Sequence, residues 1–186
     1  MAVLVEAISV VVRRDAINAK YRGGWSAYVE DAPNVTLCYD DDLARIGFMM
    51  PWETEVFINR LTEHGLIFLA DNKAQDIAVV DQQVGPLTEC DWLEFAKISH
   101  GESGGKVSAC WLFEGPRTAY GVHFSSKTMN LAVPPGWEFE DSLSHDFTFV
   151  PNEEIEGRLQ FLRTENGVNV YLDRETGEEV FGGEQP

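Results

Sequence analysis

Apolar residues run almost unbroken over residues 3–12 and are rich in β-branched types, the pattern of a central strand covered on both faces. Arg13-Arg14-Asp15 ends the run. Asp15 stands where a cap is needed for a helix through Ala16, Ile17, Ala19 and Tyr21, interrupted at Gly23-Gly24, resumed over residues 25–30 and stopped at Pro33. Residues 35–39 and 43–49 flank Asp40-Asp41-Asp42 as a hairpin. The clearest helix follows. It opens at Pro51, carries Glu53 and Glu55 near its positive end and closes at His64-Gly65. The spacing puts Trp52, Val56, Phe57 and Leu61 on one inward side. Two more strands, over residues 66–69 and 77–80, enclose turn residues Asp71-Asn72-Lys73.

The second half reads mostly as β. Residues 91–98 and 107–113 pair around the polar, glycine-rich stretch 99–106, and residues 118–124 supply a third strand. Pro134-Pro135-Gly136 turns the chain. From Pro151, Ile155, Leu159 and Leu162 fall at helical spacing, ended by Asn166-Gly167. The competing reading is a strand over 159–164 with a hairpin turn at Glu165-Asn166-Gly167. A final hairpin over 168–172 and 178–181 turns at Glu175-Thr176-Gly177. Element order makes the chain α+β. The first 80 residues resemble in topology the split βαβ or ferredoxin-like arrangement, an antiparallel sheet with two helices on one face. The expected organisation is a ferredoxin-like subdomain over 1–86 and a mainly β subdomain over 87–186, or one continuous domain. That topology hosts many unrelated functions and implies none of them.

Charge changes the picture. The chain carries 31 acidic and 14 basic residues, and residues 138–186 alone hold 13 and 3 of them, whereas residues 90–137 hold 4 of each. An acidic end after a neutral middle argues for a basic or neutral protein partner, and against a phosphate backbone or an anionic membrane. The opening apolar run has no basic residue ahead of it and holds Glu6, so it is expected to be a strand of a soluble, cytoplasmic protein rather than a leader. Cys38, Cys90 and Cys110 are odd in number and widely spaced, which suits buried, reduced thiols.

No motif specifies a reaction. Asp40-Asp41-Asp42 lacks the alternating ligands, glycine and terminal glutamate of a calcium loop. His64, His100, His123 and His145 are too dispersed for a zinc pair, and neither a metal nor a cofactor is expected. Gly104-Gly105-Lys106 leads into a strand, not into the helix a phosphate loop requires. Cys110 is the candidate reactive thiol, with His123 on the neighbouring strand as its possible base.

Aromatic residues concentrate between 90 and 150. Trp92, Trp111, Phe113, Glu114, Tyr120, His123 and Trp137 are the candidate ligand or partner contacts. Three functions follow. The leading one is a non-catalytic binding protein, inhibitor-like or immunity-like, presenting an aromatic surface while the acidic end selects a basic partner. The second is an enzyme or sensor for a small molecule, with an aromatic-lined pocket between the halves. The third is a self-associating homo-oligomer joined through open sheet edges.

Overall fold

The computed structural model describes residues 1–101, 105–113, 130–145, 157–165, 168–177 and 179–182. It is α+β, and it divides into two units, Met1–Asp146 and Phe147–Pro186. The 86/87 boundary expected from the sequence falls inside the first unit.

The long apolar run is not one strand. It forms β1 (Ala2–Val5) and β2 (Ile8–Arg13), which belong to different sheets. Between them Ala7 adopts a left-handed conformation, φ 51°, which redirects the chain. A count of apolar residues does not register such a corner. After β2 come α1 (Arg14–Lys20), α2 (Gly24–Glu30), β3 (Cys38–Tyr39), β4 (Leu43–Phe48) and α3 (Pro51–Glu63). Next are β5 (Leu69–Ala70), β6 (Lys73–Ala74), β7 (Ile77–Asp81) and β8 (Gly85–Pro86). β5 and β6 turn at Asp71 and Asn72, both at positive φ, as a two-residue hairpin demands. β9 (Leu93–His100) and β10 (Gly105–Leu112) form the expected hairpin, and β11 (Leu131–Ala132) follows.

One sheet has the order β3-β4-β2-β7-β8, with every neighbouring pair antiparallel. The other has the order β11-β1-β10-β9. Strand alternation sorts side chains into three cores. Val10, Val12, Ala44, Ile46, Ile77 and Val79 leave the first sheet on one side and meet Ile17, Tyr28, Phe57 and Leu61 of the helices. Val11, Leu43, Ala78 and Val80 leave it on the other side and meet Val3, Val5, Leu93 and Cys110 of the second sheet. Ala2, Leu4, Val107, Ala109 and Trp111 point away from both and are covered by Phe139 and Trp137. The first unit is therefore layered as helices, sheet, sheet and an overlying segment. Each fully buried Leu or Val among these contributes about 1.5–3 kcal/mol.

Two expectations are corrected here. Trp52 and Val56 do not pack inward; the buried face of α3 is Thr54, Phe57, Ile58 and Leu61. At about 100° per residue those four cluster around one direction, and Trp52 and Val56 lie nearly opposite. The expected helix is also replaced from Leu159 onward, where the competing strand reading holds. Residues 151–156 lie outside the described residues, and Leu159–Glu165 is a strand, β12. It pairs antiparallel with β13 (Val168–Asp173), which pairs with β14 (Glu179–Gly182). The leucines at helical spacing straddle a register shift between Phe161 and Arg163, so their periodicity belongs to a bulged strand. The strand expected over 118–124 lies outside the described residues.

Candidate functional site

Cys110 and Trp111 are neighbours on β10 and therefore face opposite sides of the sheet. Cys110 is wholly enclosed between the two sheets, and burial pushes its thiol far above the ordinary range, with nearby Cys90 adding to the rise. Burial also raises Cys90, and it pushes Cys38 up to about 11. A thiol held protonated in this way is a poor nucleophile.

The candidate aromatic residues fall into separate places. Trp92 is buried in the core between the sheets and donates its indole N–H to the Ala74 carbonyl at 3.0 Å. Trp111 is buried on the outer side and donates to Glu94 Oε2 at 3.2 Å. Trp137 lies half-buried over that outer side, while Phe113, at the end of β10, is exposed. Glu114, Tyr120 and His123 lie outside the described residues. Among the described residues, no three His, Cys, Asp or Glu side chains converge as a metal site.

Around Phe139 the structure brings together two histidines that the sequence separates by 45 positions. His100 stacks on Phe139 at 4.9 Å, Trp137 meets His100 edge-on at 5.4 Å, and His145 meets Phe139 edge-on at 5.3 Å. Gly105, directly opposite His100 in the register, makes this possible. A Cβ there would overlap the Phe139 ring. The sequence shows Gly105 as one glycine of a polar loop; its partner ring, 34 residues on, gives it a second meaning.

Arg45 was not singled out in the sequence, and its only signal is a cation inside the apolar run of β4. It is 2% exposed and faces the second sheet, where its Nε donates to Ser9 Oγ at 2.8 Å and Nη2 to the Glu6 carbonyl at 2.7 Å. Nη1 reaches the Thr36 carbonyl at 3.4 Å. Burial lowers its pKa, an effect opposed by Cys38 and Glu6. Gly47 leaves the room, because a Cβ there would meet the guanidinium at 2.5 Å. Gln82 and Ser108 extend this polar strip: Ser108 Oγ donates to the Gln82 carbonyl at 2.7 Å, and Gln82 N–H donates to the Ala7 carbonyl at 3.0 Å. The strip fastens the corner between β1 and β2.

On the helix side a third group gathers around Arg14, in which Arg14 Nε, the Tyr28 hydroxyl and Asp40 Oδ2 are buried without a hydrogen-bond partner among the described residues. The Arg14 guanidinium lies 3.5 Å from the Trp25 ring centroid, and Trp25 stacks with Tyr28 at 5.5 Å and meets Tyr39 at 4.8 Å. Arg14 Nη1 donates to the Asp40 carbonyl at 2.8 Å, so the cation is held by its own chain.

The outer side of α3 stands in water. Met49, Trp52 and Val56 are 55, 60 and 61% exposed, and Glu55 and Glu63 share that side. Comparison with family models, with curated proteins and with solved structures returned no match. No helix among the described residues is long and apolar enough to cross a membrane.

Proposed function

We propose that this is a non-catalytic protein-interaction molecule whose acidic surface selects a basic partner, with an inhibitor-like or immunity-like role as its narrower form. The observation that carries the reading is the state of its potential chemistry. All three thiols are pushed up by burial, and the buried guanidinium of Arg45 is engaged by oxygens of its own chain. The excess of 31 acidic over 14 basic residues supports steering of a cationic surface. Titration with basic and neutral proteins across ionic strength tests the reading. Binding to basic proteins should weaken as salt rises, and affinity indifferent to salt would remove the steering.

The small-molecule alternative draws on one feature, the Trp137 indole N–H, which is buried without a partner among the described residues beside His100 and Phe139. Alkylation separates the cysteine-nucleophile version of that alternative from the interaction reading. All three cysteines should stay inert until the protein unfolds, and a fast-reacting native thiol would favour the enzyme.

For the first half of the chain we read the fold as ferredoxin-like. The order β7-β2-β4-β3, all antiparallel, supports this, as do α1 and α2 inserted between β2 and β3 and α3 between β4 and β7.

A further inference from the structure

We propose that the outward face of α3, built on Met49, Trp52 and Val56, docks an amphipathic basic segment of another protein. Trp52 and Val56 are one helical turn apart, and Met49 precedes Trp52 by three positions on the approach to the helix. The opposite side of α3 already supplies everything the core uses, through Thr54, Phe57, Ile58 and Leu61. A tryptophan turned to water on the far side adds little to folding, and it is the residue type most often found as a binding anchor.

Charge decides the occupant. From residue 23 to residue 72 the chain has nine carboxylates and two cations. One cation, Arg45, is buried on the other side of the sheet, and the other, Arg60, is held by Asp31. Glu53, Glu55 and Glu63 therefore stand around the apolar patch, and the exposed cation of their stretch, Arg60, is paired with Asp31. A second copy of this chain would bring the same glutamates face to face, which is repulsive. A segment with apolar residues at helical spacing and lysines or arginines on its flanks satisfies both the patch and the rim.

This docking site rests on the interaction reading above, and the test separates the two. The probe is a synthetic amphipathic helix of leucines with lysines on its polar face; its counterpart carries glutamates in place of the lysines. The parent protein should bind the lysine peptide in a salt-sensitive way and bind the glutamate peptide far more weakly. Trp52→Ser with Val56→Ser should weaken the lysine peptide by about thirtyfold. Val84→Ser, at an exposed site on another edge, should leave it unchanged. If the double variant binds as tightly as the parent, the α3 site is wrong while the basic-partner reading stands. If the parent binds neither the peptide nor any basic protein, both fail. A parent dimer that the double variant abolishes would assign the face to a second copy and overturn the proposal.

Discussion

The two faces of the five-stranded sheet meet different kinds of neighbour. Toward the helices, Val10, Val12, Ala44, Ile46, Ile77 and Val79 pack in a cluster of apolar and aromatic side chains. Toward the second sheet, Val11, Ala78 and Val80 share their layer with Ser9, Arg45, Ser108 and Gln82, all buried. The first face is a hydrophobic seal that many sequences would satisfy. The second contains hydrogen bonds that form only in one register, so it fixes where β1 departs from β2. Stability resides in both faces, and the specific corner resides in the second.

The sharpest way to break that contrast is at Arg45. Arg45→Ala should cost about 3–5 kcal/mol, since it opens a cavity and removes the donors to Ser9 Oγ and to the carbonyls of Glu6 and Thr36. Arg45→Met keeps most of the volume and removes the buried charge, so it should cost less. Urea unfolding of both variants checks this. Equal losses would mean that the hydrogen bonds of the guanidinium, and not the volume it fills, carry its contribution.

A smaller loss is expected on the far side of the second sheet. Gly105→Ala should destabilise by about 1–3 kcal/mol, because the methyl group overlaps Phe139 and the ring must leave its place against His100. A thermal midpoint measures the cost, and the ring-current shifts of the His100 protons report the displacement. Gly105→Ala together with Phe139→Leu should recover part of the loss. Without such recovery, the glycine would be serving the backbone and not the ring.

These two positions show where sequence reading stopped. The strands β4 and β7, the ends of α3 at Pro51 and His64-Gly65, and the hairpins of β9 with β10 and of β13 with β14 follow from period and turn chemistry, and they were legible. The corner at Ala7 was not, because an alanine at positive φ has no compositional mark. Arg45 and Gly105 depend on partners 36 and 34 residues away, Ser9 and Phe139, and no local window contains either pair. The aromatic cluster was visible as composition, yet its division between two cores depended on which strand neighbours which. The side of α3 was misjudged for a related reason. A tryptophan and a valine look inward by type, and only the positions of Phe57, Ile58 and Leu61 reveal that the inward side was already filled.

The second unit gives a charged counterpart to Arg45. Arg158 donates to both carboxylate oxygens of Asp173, at 2.7–3.0 Å, and these bonds hold Asp173 down at about 2. The ordinary carboxyl value is about 3.9, so the folded pKa lies below the unfolded one. This contribution is present in full above about pH 4 and is lost as the pH falls through 2. A pH titration of the Tyr171 ring signals, on the strand that carries Asp173, should therefore show a transition in that window. Asp173→Asn should remove the transition. Arg45 has only hydroxyl and carbonyl oxygens as acceptors, so the sheet–sheet strip should pass through the same window without that step.

The smallest effect on stability is expected on the outside of α3, and its smallness is informative. Leu61→Ala on the inner side should cost about 2–5 kcal/mol, since Leu61 is fully buried in the helix-side core. Trp52→Ser with Val56→Ser should stay within about 0.5 kcal/mol of the parent, because each side chain already keeps about three fifths of its surface in water. Urea unfolding of the three proteins side by side gives the comparison. A loss at Trp52 and Val56 approaching that at Leu61 would mean that the outer side is held by packing within the chain, and the docking face would then have no free surface to offer. A negligible loss, set against a large loss of peptide affinity in the same double variant, separates a residue kept for a partner from one kept for the fold.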